Sequence, residues 1–210
     1  PAASPPQPVA AAKPVPKPPS PSLSPSPPLQ AADKSIAVLP FANMSSDKEN
    51  EFFTDGIHED ILTNLALIRD VRVTSRTSVM QYRGTTKPIS QIAAELKVAY
   101  VLEGSVRRSG NKVRVTGQLI RTGNDEHLWA KSYDRDLTDV FTIQAELATA
   151  IAGALETVLS PEAKAILEHR PTNNPAAYDL FLKARHLRYY GSVTEQHGII
   201  PLLEQAVQLD

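Results

Sequence analysis

Three consecutive stretches in the middle of the chain constrain its fold most strongly. Their apolar and polar side chains alternate, a pattern typical of neighbouring strands of one sheet. The first, residues 100–107, runs into a turn at Ser109-Gly110-Asn111. In the second, residues 113–119, apolar and polar side chains alternate, and a third stretch around Trp129 and Tyr133 follows a Gly-containing turn. Short turns between such stretches indicate an antiparallel meander. The alternation places one of its faces on a core and the other in water.

The segments on either side of the meander add strands and helices. Residues 35–41 are a short apolar run typical of a buried strand, and residues 71–76 indicate a second one. We expect Asp55 or Thr54 to cap the first helix. Apolar residues at helical spacing predict three helices, before, between and after these strands: Ile57, Ile61, Leu62, Leu65 and Ile68; Ile89, Ile92, Ala93 and Leu96; Val140, Ile143, Leu147, Ile151, Leu155 and Val158.

The predicted fold class is therefore α/β: a mixed β-sheet in the order βαβα-βββα with packed helices, spanning residues 34–160. We expect Trp129 and Tyr133 to pack the meander against the long last helix, because they lie on one face of their strand. We expect residues 34–160 to close their own core.

Proline marks off the first part of the chain. Of 18 prolines, 12 lie between Pro1 and Pro28, among small and polar residues. Such a segment buries too little apolar surface to offset the entropy lost on ordering. Residues 1–33 are therefore predicted to be a disordered, extended tether. The alternative is a docking ligand for an SH3- or WW-like groove.

The last part of the chain indicates paired helices. Ser160-Pro161 caps a short helix within a linker, residues 161–171, and Asn174-Pro175 opens a helix that ends near Tyr190. A second helix ends at Asp210, and residues 172–210 form the predicted helical region. Helix pairs of this size need further copies stacked on them. We expect an apolar stripe facing empty space, and self-association through these helices is one way to cover it: Leu202, Leu203, Ala206 and Leu209.

Composition excludes several kinds of function. The chain has no cysteine, which excludes disulfides and thiolate sites, and its net charge of -1 draws it neither to nucleic acid nor to an anionic membrane. No stretch approaches the roughly 18 apolar residues that span a bilayer. We therefore expect membrane attachment only through an anchor upstream of Pro1. The sequence is compatible with the periplasmic and with the cytoplasmic face of the inner membrane, and we favour the periplasmic face.

No catalytic, cofactor or metal site is predicted. The phosphate-binding glycine loops and the nucleophile elbow are missing from the sequence. His58-Glu59 begins like a zinc-protease motif, but Leu62 occupies the position of the second histidine. We therefore interpret His58 as part of a solvated first helical turn. The remaining histidines have no ligand-like spacing and are expected at the surface.

A basic hairpin is the candidate binding patch. Its residues are Arg107, Arg108, Lys112, Arg114 and Arg121. Such a cluster suits a phosphate, an acidic partner or RNA. The nearby aromatics are not interleaved with it as a nucleic-acid stacking platform requires, so nucleic acid is not expected. A solvated polar face and a protein-binding face both stay open.

Several motifs in a fixed order resemble the TolB amino-terminal-like domain of bacterial signalling proteins. The resemblance covers residues 34–159 and rests on an ordered set rather than on one motif: residues 35–41, Phe52-x-x-Asp-Gly56, residues 100–107, residues 113–119, Leu128-Trp129 and residues 133–136. Residues 174–178 and 203–210 resemble the lead-in to tetratricopeptide repeats. Gly198 and Pro201 depart from that repeat pattern.

The resemblance implies attachment to an output domain, commonly an adenylate or guanylate cyclase, a winged-helix DNA-binding domain or a kinase. We expect a non-catalytic protein-binding or sensory module of a multidomain bacterial signalling protein. The alternatives are a regulatory domain that binds a small anionic ligand or nucleotide at the basic hairpin, and the sensor part of a winged-helix transcription regulator.

Overall fold

A mixed sheet organises residues 34–47 and 50–210, which a computed structural model of the protein describes. The strands run in the order β3-β1-β4-β5-β6, and β2 pairs beside them with β4. The predicted tether, residues 1–33, lies outside the described residues. The bounds are β1 Ser35–Val38, β2 Ala42–Asn43, β3 Arg72–Val73, β4 Tyr100–Ser109, β5 Lys112–Arg121 and β6 Glu126–Asp136.

The direction of the strands divides the sheet in two. Strand β1 runs parallel to β3 and to β4, and β2 is also parallel to β4. Strands β4, β5 and β6 form the antiparallel meander that the alternation predicted. Its first turn places Gly110 at a φ of +56°, a conformation that favours glycine. The predicted α/β class with a mixed sheet is confirmed.

Helices cover the sheet on both faces. The helices are α1 Glu51–Ala66, α2 Arg76–Met80, α3 Ile89–Leu96, α4 Val140–Ala154, α5 Pro161–Glu168, α6 Pro175–Tyr190, α7 Val193–Gln196 and α8 Ile199–Leu209. The main core lies between the sheet and helices α1 and α4, and a smaller core on the other face joins β1 and β4 to α2 and α3. The outer face of β5 and β6 is mainly polar, although Ile120 is buried there beside the smaller core.

Two predicted helix ends were wrong. Helix α1 begins at Glu51 with Asn50 as its N-cap residue, so Thr54 and Asp55 are buried in its second turn instead of capping it. The earlier start carries Phe53 into the core, where it is fully buried. Helix α4 ends at Ala154 because Glu156 takes a φ of +51° and turns the chain. Val158 is consequently 88% exposed and does not belong to the apolar stripe.

Trp129 and Tyr133 meet the long helix as predicted, but to different depths. Tyr133 is buried in the main core, whereas Trp129 is half-buried against it. A Cβ atom placed on Gly117 would lie 3.1 Å from the Trp129 ring and 3.3 Å from Leu147. Glycine in β5 therefore opens the space that the indole occupies under α4.

The helices after residue 160 share the main core. Ser160 caps α5 and Asn174 caps α6 through their side chains, as the sequence predicted. Leu167, Tyr178 and Leu182 belong to the same buried cluster as the sheet residues. An independent unit at residues 34–160 thus remains a prediction, which shortening the chain has to test.

We expect Gly104→Ala to destabilise the fold by about 1–3 kcal/mol, because an added Cβ would lie 2.6–2.7 Å from the buried Phe41 ring. The matched control is Gly123→Ala, where a Cβ meets nothing within 4 Å. Urea unfolding followed by circular dichroism compares the two variants. Equal midpoints for Gly104→Ala and the wild-type chain would contradict this packing.

Candidate protein-binding groove

Helix α6 is fixed on α1 by a set of polar contacts, here called the α1–α6 seam. The Arg185 guanidinium donates to Asp60 Oδ1 at 2.7 Å and to the Gly56 carbonyl at 2.9 Å. Its Nε also lies 3.5 Å from Glu59 Oε2. The helices approach closely because Gly56 has no side chain: a Cβ there would lie 2.7 Å from both methyl groups of Leu182.

A buried hydrogen-bond cluster forms one end of the seam. The Tyr178 hydroxyl donates to Asp60 Oδ2, and the Gln144 amide donates to the same oxygen at 3.0 Å. Burial, together with the negative charge of Asp60, raises the pKa of Tyr178 well above its usual value. The phenol therefore stays protonated and holds α1, α4 and α6 together as a neutral donor.

A second carboxylate, Asp55, organises the other end of the seam. Its oxygens face Arg83, which donates to Oδ1, and His186, whose Nδ1 lies 3.3 Å from Oδ2. Burial raises the pKa of Asp55, but its contacts with His186 and Arg83 more than offset this and leave the pKa lowered. The Asp-Gly pair of the motif at residues 52–56 is thereby explained. Asp55 anchors α6, and Gly56 lets it approach.

An open groove lies where α6 and α8 face α4 and α5, and we call it the α6–α8 groove. Its volume is about 620 Å³. Its apolar lining comes from all four helices and from the segment after α5: Phe141, Ile166, Leu167, Pro171, Ala177, Phe181, Leu203, Ala206 and Val207. Its polar rim includes Asp60, Thr63, Asn64, His169, Thr172 and Asp210. Phe181 is 43% exposed and Val207 is 78% exposed.

Helix α8 divides its apolar residues between α6 and this groove. Leu202 and Ala206 are half-buried, while Leu203 and Leu209 are exposed, so the predicted stripe is only partly uncovered. Pro201 lies in the first turn of α8, where its missing N–H costs little. The helix pair that the sequence predicted is present. Its identity as a tetratricopeptide unit remains a proposal.

The structure separates the five basic residues of the predicted patch. Four lie toward the β4–β5 turn, but Arg121 lies at the opposite end of β5, paired with Tyr100. Arg107 donates to the Met44 carbonyl at 3.3 Å, and Arg108 forms a two-pronged contact with Asp179 at 2.8 and 2.5 Å.

The other three basic residues are paired with carboxylates: Lys112 with Asp136 at 2.7 Å, Arg114 with Asp134 at 2.6 Å and Arg121 with Glu126 at 2.5 Å. Arg108 is the most covered of the five, with its guanidinium also 5.0 Å from the centre of the Phe53 ring. It ties the sheet to α6 through Asp179, which lies near the start of that helix.

The prediction of a solvated His58 was wrong. His58 is 1% exposed, and its Nε2 lies 3.0 Å from the Val38 carbonyl of β1. Burial lowers its pKa, so the ring is held neutral in the core. In the part of the chain that the structure describes, no group of three or more metal-ligating side chains comes together, and no helix is long and apolar enough to cross a membrane.

Comparison with known proteins shows similarity to a family of regulators and to a bacterial relative. The pattern of the HilA/YgeH-like transcriptional regulator second domain matches residues 32–150. "Putative adenylate cyclase 3" of Rhizobium meliloti (strain 1021) is 45% identical over 159 residues, which are 76% of this chain. These residues are only 27% of that protein, so the chain spans about a quarter of the relative's length.

Solved structures with a similar chain path are more distant. TolB from Acinetobacter baumannii has a TM-score of 0.45 and 19% identity, over 58% of this chain and 28% of its own. Lipoprotein GNA1162 from Neisseria meningitidis has a TM-score of 0.43 and 18% identity, over 60% of this chain and 99% of its own. Likeness at this level bears on neither the site nor the function.

Gly56→Ala tests the α1–α6 seam, because the sign of its effect on the free energy of unfolding should depend on whether α6 is present. In the full chain, the added methyl group collides with Leu182, which is 1% exposed, and we expect a loss of about 1–3 kcal/mol. In a chain ending at residue 171, the same change should stabilise helix α1 by about 0.5–1 kcal/mol.

Urea unfolding of the four proteins measures both effects. A change in stability of the same sign in the full chain and in the shortened chain would contradict the close approach of α6. If the shortened chain does not fold, the predicted division between residues 34–160 and 172–210 is wrong.

Proposed function

The chain belongs to the HilA/YgeH-like transcriptional regulator second-domain family, and from that premise we propose that it is a non-catalytic, protein-binding module of a bacterial signalling protein. Its relationship to a protein named as an adenylate cyclase links it to signalling. Because the chain spans 27% of that relative, the cyclase activity named there is assigned to the remainder of such a protein. This module supplies recognition.

The α6–α8 groove is the observation that carries the proposal. Large apolar side chains on α5, α6 and α8 remain exposed together there, including Ile166 at 54% and Val207 at 78%. Such a patch with a polar rim marks an interaction site in a soluble protein. Its walls are helices on both sides, and Leu203 and Val207 form a ridge with the spacing of one helical turn. This shape fits the apolar stripe of an amphipathic helix.

Two output domains are compatible with such a module. Adjacent cyclase domains are supported by the 45% identical relative. A winged-helix transcription regulator is supported by the family, whose description names transcriptional regulators. In both cases, the module has the same role: a partner helix seated in the groove changes the packing of α6 and α8. The coding sequence flanking this segment discriminates between them.

Binding of a small anion at the basic hairpin is a weaker alternative. Each of the five cations already has a carboxylate or carbonyl partner, and Arg121 is remote from the rest. An anion would have to displace those partners. The apolar groove needs no such displacement.

We expect the chain alone to leave ATP and GTP unchanged, because none of its described side chains forms a metal-binding carboxylate cluster. Chromatography of nucleotides incubated with purified protein and Mg²⁺ measures this. Turnover above background that disappears on a point substitution in the chain would overturn the non-catalytic assignment.

Helix binding is tested by selecting amphipathic helical peptides from a displayed library against the full chain. We expect the selected peptides to lose affinity at least tenfold with Val207→Glu, because a carboxylate then occupies the apolar ridge. The control is Val158→Glu, an identical change at a site 88% exposed and outside the groove, which should leave affinity within twofold. Fluorescence anisotropy measures the dissociation constants.

Two results would contradict this occupant of the groove. Peptides that bind wild type and Val207→Glu equally would place the binding site elsewhere. A wild-type chain that dimerises in sedimentation velocity, with the dimer lost in Val207→Glu but kept in Val158→Glu, would show that a second copy covers the groove.

A further inference from the structure

The outer edge of β6 has no partner strand among the residues that the structure describes. Strand β6 is the last in the order β3-β1-β4-β5-β6 and pairs only with β5. At 11 residues, it is also the longest strand of the sheet. A free edge of this length presents unpaired backbone groups to any extended segment that reaches it.

The pairing pattern shows which backbone groups point outward. A two-residue turn joins β4 and β5, so its closing pair, Ser109 and Lys112, is hydrogen-bonded, and bonding alternates along β5 from there. Odd-numbered residues of β6 therefore bond to β5, in agreement with the bond from Leu137 N–H to the Asn111 carbonyl at 2.8 Å. The N–H and C=O groups of Ala130, Ser132 and Asp134 consequently face outward.

These three residues are exposed, and their outer edge is nearly free. Within residues 34–47 and 50–210, the Asp134 carbonyl accepts a bond from the Arg135 guanidinium at 3.1 Å. The outward backbone groups of Ala130 and Ser132 have no such partner among these residues. An added strand can therefore pair directly with Ala130 and Ser132, and it reaches the Asp134 carbonyl by replacing the Arg135 guanidinium.

A groove lies beside this edge, between β6 and helices α4 and α5, and we call it the β6 groove. Its volume is about 620 Å³. Leu167 and Ala145 contribute apolar surface, and Tyr133 lines it with a hydroxyl that is buried without a hydrogen-bond partner in the described structure. Lys164 and Glu168 on α5 carry opposite charges, and Glu146 of α4 adds a second carboxylate to the lining.

The side chains of β6 that face this groove alternate in character. Lys131 and Tyr133 line the groove, and Arg135 follows on the same face of β6, since every second residue of a strand shares a face. The Lys131 ammonium lies 4.6 Å from the centre of the Tyr133 ring. Arg135 has a contact of 3.7 Å with Glu146 of α4. Tyr133 is 2% exposed, so it forms the floor of the β6 groove between these two cations.

We propose that the β6 edge binds an extended peptide with the pattern acidic-x-apolar-x-acidic, as an added strand. Outward pairing with Ala130, Ser132 and Asp134 places alternate peptide residues opposite Lys131, Tyr133 and Arg135. Directly opposed side chains of opposite charge attract, and an apolar side chain between them enters the β6 groove beside Ala145. The pattern is symmetric, so it fits both strand directions. The β6 groove meets the α6–α8 groove at Leu167, but the β6 edge lies away from α6 and α8 and does not depend on the function proposed for them.

A second copy of the chain matches this edge less well. Its own β6 offers the groove face only Trp129, Lys131, Tyr133 and Arg135, none of which is acidic. In every register, Lys131 and Arg135 then lack the carboxylates that an acidic peptide supplies. Complementarity of charge therefore favours a different partner segment.

The test uses the full chain and three labelled nine-residue peptides, each with Thr and Ser flanks around a five-residue centre. The centres are Asp-Thr-Val-Thr-Asp, its charge-reversed form Lys-Thr-Val-Thr-Lys, and Asp-Asp-Thr-Val-Thr, which breaks the pattern. By fluorescence anisotropy, we expect the first to bind at least tenfold more tightly than the other two. With Lys131→Glu, the preference between the first two peptides should fall at least tenfold.

A surface change of equal charge serves as the matched control. Arg69→Glu lies outside both grooves, so it should leave the preference within twofold. The amide signals of Ala130, Ser132 and Asp134 should shift in NMR spectra when the first peptide is added. Methylating alternate backbone nitrogens of that peptide, in the set that faces β6, should abolish binding.

Several outcomes overturn the proposal. They are no binding up to millimolar peptide, equal binding of the three peptides, amide shifts confined to other strands, or loss of binding with Val207→Glu in the α6–α8 groove. Dimers in sedimentation velocity that the acidic peptide does not dissociate would assign the edge to a second copy of the chain.

Discussion

The close approach of α6 to α1 is the contact on which the helical half of the molecule depends. It combines the missing side chain of Gly56 with the Arg185–Asp60 ion pair, whose partners are each less than one-fifth exposed. Charges withdrawn from water are costly unless paired, so removing either partner is expected to cost more than the pair itself contributes. The pair therefore fixes where α6 lies, and α6 in turn positions α8 and the apolar groove beside it.

The sheet was predictable because its signals are local. Alternation from Tyr100 to Arg121 and a short glycine turn predict two antiparallel strands and their buried face, and the structure pairs the two strands over ten residue pairs. The parallel strand β3 was harder, since only two residues pair there. Helix α1 showed the limit of capping rules. Aspartate is a residue type that favours the N-cap position. The carboxylate of Asp55 instead contacts Arg83 and His186, which lie 28 and 131 residues further along the chain.

The site was much less predictable for the same reason. The basic residues of the hairpin form a cluster in sequence, but the fold gives each cation a partner that is distant or on a neighbouring strand, as with Arg108 and Asp179. The α6–α8 groove is formed by residues from α4, α5, α6 and α8 together, and the residue spacing within any one of these segments does not predict it. His58 was placed wrongly because helical spacing does not tell which polar residue finds a buried carbonyl, here that of Val38.

The half-buried position of Trp129 has a consequence for experiments on this molecule. It is the only tryptophan in the chain, and its ring lies near Gly117 and Leu147, far in sequence from α6 and α8. Intrinsic fluorescence excited at the red edge therefore reports on the meander and α4 alone, whereas the far-ultraviolet dichroism signal is dominated by all the helices. If α6 and α8 detach first, the fluorescence and dichroism signals change at different denaturant concentrations. Comparing the two signals then shows whether the molecule unfolds in one step.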